Sequence, residues 1–63
     1  MSNTITSDYL LLAKDTISDL KKSNPNISNK EMIIAVAPYF EFLNNDEKKE
    51  IVFYATATSF MIF

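Results

Sequence analysis

Apolar residues recur along the chain at helical spacing in three segments, separated by polar stretches. At about 100° per residue, Tyr9, Leu10, Ala13, Thr16, Ile17 and Leu20 fall on one face of a first helix. That helix opens at Thr6 or Ser7, with Asp8 in its first turn, where a carboxylate meets the positive helix end. Lys21 and Lys22 occupy its last turn, where cations are favoured. Asn24-Pro25 stops it, because proline disfavours the α conformation at the residue before it.

The second segment carries the clearest start signal. Ser28-Asn-Lys-Glu31 reads as a capping box, with Ile27 and Met32 placed as the matching hydrophobic staple. Met32, Ile33, Val36, Tyr39, Phe40 and Leu43 then share one stripe. Pro38 interrupts it, and two accounts compete: the helix ends near Ala37 and restarts, or it runs through with a kink. A restart would need Ala37 as a poor N-cap, and the stripe keeps its phase across Pro38. One kinked helix over 29–43 is therefore expected, with Pro38 on its solvent side.

Asn44-Asn45-Asp46 forms the next turn, and Asn44 or Asn45 can cap a third helix over 46–62. So short a connection makes the second and third helices direct neighbours. Beyond Glu50 the chain has thirteen residues without a charge. On a helical wheel Ile51, Ala55, Thr58 and Ile62 lie together, whereas Phe53 and Phe60 lie on the far side. A helix apolar on every side is buried, and two short neighbours cannot cover all of this one. The β-branched and aromatic run from Ile51 to Thr58 also admits a strand, but only one paired with another chain.

Together these segments predict an all-α, three-helix mini-bundle in a single domain over 1–63, with residues 1–6 flexible, completed by oligomerisation. A 63-residue chain has a core near the lower limit of independent stability. Cysteine and histidine are both absent, which removes disulfides and the usual zinc ligands as supports. Helix packing and association with further chains remain.

Composition narrows function mostly by what it lacks. Without histidine or cysteine the commonest general base and the thiolate nucleophile are missing, and without glycine no phosphate-cradling loop can be written. Arginine is absent too, and the net charge is −2, which disfavours nucleic acid as a partner. No cofactor, metal or catalytic residue is expected. No basic-then-apolar leader is read at Met1–Ile5, and the uncharged run falls short of the about 20 residues that cross a bilayer, so a cytoplasmic setting is expected.

The polar candidates each have a plain explanation. Asp8, Asp15 and Asp19 line one stripe of the first helix, as a solvated face rather than an ion site. Glu31 caps, and Glu41 lies ten residues away with no pocket between them. Tyr9, Tyr39 and Tyr54 have no base or nucleophile beside them in sequence. Lys48-Lys49 invites a helix-turn-helix reading, but the leading residues of that helix are Asp46 and Glu47, which would face phosphate with like charge.

Seven of the eight aromatic residues fall between Tyr39 and Phe63, and aromatics with methionine are enriched in interface cores. The expectation is a non-enzymatic adaptor or inhibitor that acts sterically, built as a homodimer or higher oligomer and docking on another protein. That build is common among accessory proteins of phages and mobile elements, a remark resting on size and composition alone. The interface residues expected are Phe53, Tyr54, Ala57, Phe60, Met61 and Phe63, with Leu11 extending the patch. A membrane-interface peptide is the first alternative, weakened because residues 51–63 carry no lysine opposite the apolar face. A DNA-binding regulator is the second.

Overall fold

The computed structural model describes residues 8–60. The chain is all-α: α1 (Asp8–Ser23), α2 (Asn29–Val36) and α3 (Asn45–Ser59), with a 3₁₀ segment over Ala37–Phe42 between the last two. Three-helix architecture is as expected, and residues 51–59 are helical rather than extended. The expected caps at Thr6 and Ser7 and the flexible stretch over 1–6 lie outside the described residues.

Both α2 and α3 begin on reciprocal capping boxes. Ser28 accepts from the Glu31 amide at 3.1 Å, and the Glu31 carboxylate accepts from the Ser28 amide at 3.1 Å. Asn44 does the same for α3, accepting from the Glu47 amide at 2.8 Å while Glu47 accepts from the Asn44 amide at 2.9 Å. Each box satisfies two of the four amides that a helix start leaves unpaired.

Pro38 acts differently from the kinked helix expected over 29–43. The α-helix stops at Val36, and the chain continues as a 3₁₀ turn with the proline in its first positions. A proline inside an α-helix clashes with the carbonyl four residues back and leaves it without a donor. Here Ala37 donates instead to the Ile34 carbonyl, three residues back, and Leu43 donates to Phe40 in the same pattern at 3.1 Å. The interruption becomes a change of helix type. α3 also departs from 46–62: it starts at Asn45 and ends at Ser59, with Phe60 as its C-cap. Residues 61 and 62 lie outside the described residues.

The helices run up, down and up. Lys14 pairs with Glu50, and the Lys21 ammonium donates to the Ser59 carbonyl at 3.4 Å, so α1 and α3 are parallel. At the opposite edge Tyr9 stacks on Phe42, with ring centres 4.3 Å apart, and tilts against Tyr39 at 6.2 Å. The start of α2 meets the end of α3 where Asn29 donates to the Thr56 hydroxyl at 3.2 Å. The core is a single line of side chains: Leu10, Ala13 and Ile17 from α1, Met32 and Val36 from α2, Leu43 from the turn, Ile51 and Ala55 from α3. These are the apolar positions that period 3.6 places on the inner faces.

Candidate outer face of α3

Ile51, Ala55 and Thr58 seat α3 against the other two helices and are buried. The remaining circumference of α3 is less covered than an apolar helix usually is. Phe53 is 76% exposed and Phe60 is 82% exposed. Seven residues apart, they lie along one line of the helix, two turns from each other. Val52 and Ala57 flank that line and are also exposed. On the α2 side Thr56 anchors the helix: its hydroxyl donates to the Val52 carbonyl at 2.9 Å and accepts from Asn29.

Between these residues the surface dips into an open groove of about 380 Å³, lined by Lys48, Lys49, Val52, Phe53 and Thr56. The two lysines stand at its N-terminal end and the apolar side chains beyond them. Among the described residues neither ammonium has an ion-pair partner. Of the neighbouring acids, Glu47 closes its capping box and Glu50 pairs with Lys14 on the α1 side, while Asp46, exposed three residues before Lys49, makes no ion pair among the described residues.

The predicted interface residues divide among three places. Phe53, Ala57 and Phe60 share the outer side of α3. Tyr54 is half-buried and turns toward α1, where the Lys14 ammonium sits 5.8 Å from its ring centre. Leu11 is exposed on α1. Met61 and Phe63 lie outside the described residues. Sequence reasoning left Lys48, Lys49, Val52 and Thr56 out of this surface, although their spacing from Phe53 contained the signal. Residues three and four apart adjoin on a helix, so Lys49, Val52, Phe53 and Thr56 had to form a continuous patch.

Chemistry has little foothold elsewhere. Among the described residues no group of acidic side chains is placed to hold a metal ion. No helix there is long and apolar enough to cross a membrane. Glu31 and Glu41 face solvent on different segments, and Tyr9 and Tyr39 are engaged with each other's rings. No protein-family model, curated protein or solved structure matches the chain, so its function is argued from these residues alone.

Proposed function

We propose that the protein is a non-enzymatic interaction module that associates with itself and acts sterically on a protein partner, with the outer side of α3 as its docking surface. One observation carries the reading. In a helix whose inner line is fully buried, two phenylalanines two turns apart stand free, at 76% and 82% exposure. Scattered exposed apolar residues are ordinary, but two aligned aromatic rings beside an apolar groove form a contiguous patch. Burying each ring is worth about 1.5–3 kcal/mol, which makes them natural anchors.

The test is light scattering on the full chain and on Phe53→Ala/Phe60→Ala. The oligomer mass is expected to fall in the double variant while far-UV circular dichroism stays at the wild-type level, because neither ring contributes to the core. An unchanged mass with unchanged helicity would remove α3 as the docking surface.

A further inference from the structure

We propose that the occupant of the α3 groove is the outer face of α1 from a second copy of this chain, docked antiparallel. The proposal rests on the reading of α3 as a docking surface and names what covers it.

The groove asks for a particular ligand. It presents two unpaired ammoniums at one end and Val52 and Phe53 at the other. Its occupant must therefore bring carboxylates next to an apolar pair. The outer face of α1 carries that combination. Leu11 and Leu12 are 50% and 46% exposed, large apolar side chains without cover. Asp15 and Asp19 follow on the same side of the helix, both exposed and, among the described residues, both without an ion-pair partner. Four residues apart, they repel one another; Lys22, three residues beyond Asp19, tempers this, and cations from a second copy relieve it further.

Order along the helices selects the direction. α3 reads basic then apolar from its N-terminus, and α1 reads apolar then acidic. Only an antiparallel contact matches both at once. At 1.5 Å per residue, the centre of Lys48/Lys49 lies about 6 Å from that of Val52/Phe53. The centre of Asp15/Asp19 lies about 8 Å from that of Leu11/Leu12 on the same rise, a difference that lysine stems span. The same alignment sets exposed Lys22, beyond Asp19, on the side of exposed Asp46, before Lys48. A parallel contact would lay the lysines on the leucines and Phe53 on the carboxylates.

The two faces belong to different helices of one chain. A pair related by a two-fold axis uses both at once, each copy's α1 in the other's groove; copies that engage one face each add in succession until a ring closes or the chain of copies grows. The charges are exposed, so salt weakens the contact.

Sedimentation velocity on the full chain tests this with two charge reversals, Lys48→Glu/Lys49→Glu and Asp15→Lys/Asp19→Lys. Wild-type mass is expected to rise with concentration above that of a single chain and to drop in high salt. Each reversal alone should lower the association constant by about tenfold or more, since like charges then meet across the contact. An equimolar mixture of the two should regain assembly, because each variant's intact face meets its match on the other. All four positions lie outside the buried core, and lysine and glutamate are both good helix formers, so helicity should hold. A mixture that fails to reassemble overturns the proposal, as does a wild type that stays single at every concentration. If Asp15→Lys/Asp19→Lys is silent while Phe53→Ala/Phe60→Ala dissociates the assembly, α1 is not the occupant. The reading of α3 as a docking surface then still stands.

Discussion

Lys21 is the residue whose role changes most between chain and fold. In the last turn of α1 it reads as a cation favoured by the helix dipole, and there it would sit in solvent. In the fold it is only 4% exposed, and its ammonium donates to the Pro25 carbonyl at 2.8 Å as well as to Ser59. One side chain thus joins the end of α1, the turn behind it and the end of α3. The stem packs while the head supplies donors to carbonyls that helix ends leave free. Replacing Lys21 with alanine removes both contributions and should cost about 1–3 kcal/mol in urea unfolding. Lys21→Met keeps the stem and should cost less than Lys21→Ala. Equal losses would show that the donors, not the packing, set the role.

At the scale of elements, the starts of α2 and α3 are closed by matched side chains, whereas the 3₁₀ segment has no side-chain cap. Its entry relies on proline, which has no amide to satisfy. Ser28→Ala and Asn44→Ala should each destabilise the protein by about 1 kcal/mol, read as a lower urea midpoint at unchanged slope. Pro38 was legible as an interruption but not in kind. Leu43, on the inner stripe by helical periodicity, is buried as the extended C-cap of the 3₁₀ turn, and Phe42 beside it stacks on Tyr9.

For the whole molecule, the inner and outer sides of α3 should respond oppositely to truncation. Ile51 is fully buried among residues from all three helices, and Ile51→Ala should cost about 2–5 kcal/mol. That is a large share of what a domain of this size holds, so thermal unfolding by circular dichroism should show a marked fall in midpoint. Phe53 is largely exposed and outside the core cluster, so Phe53→Ala should leave the midpoint of the dilute chain nearly unchanged, which the same melt checks. A large loss at position 53 would mean that its ring supports the fold rather than a contact with another chain.

The three helices, the Ser28 cap of α2, a cap for α3 at Asn44 or Asn45, and the inner face of each helix follow from the chain alone. Period 3.6, the Ser28 and Asn44 starts and the Asn24-Pro25 stop are local properties, and local sterics and hydrogen bonding settle them. The exposure of Phe53 and Phe60 was legible too, because a helical wheel separates them from Ile51 and Ala55 whatever packs nearby. What needed the tertiary structure was each residue's neighbours across helices. The burial of Lys21 depends on where the end of α3 falls, and the turning of Tyr54 toward Lys14 depends on α1 and α3 running parallel. These are contacts between positions tens of residues apart, and only the packed arrangement of elements brings them within reach of one another.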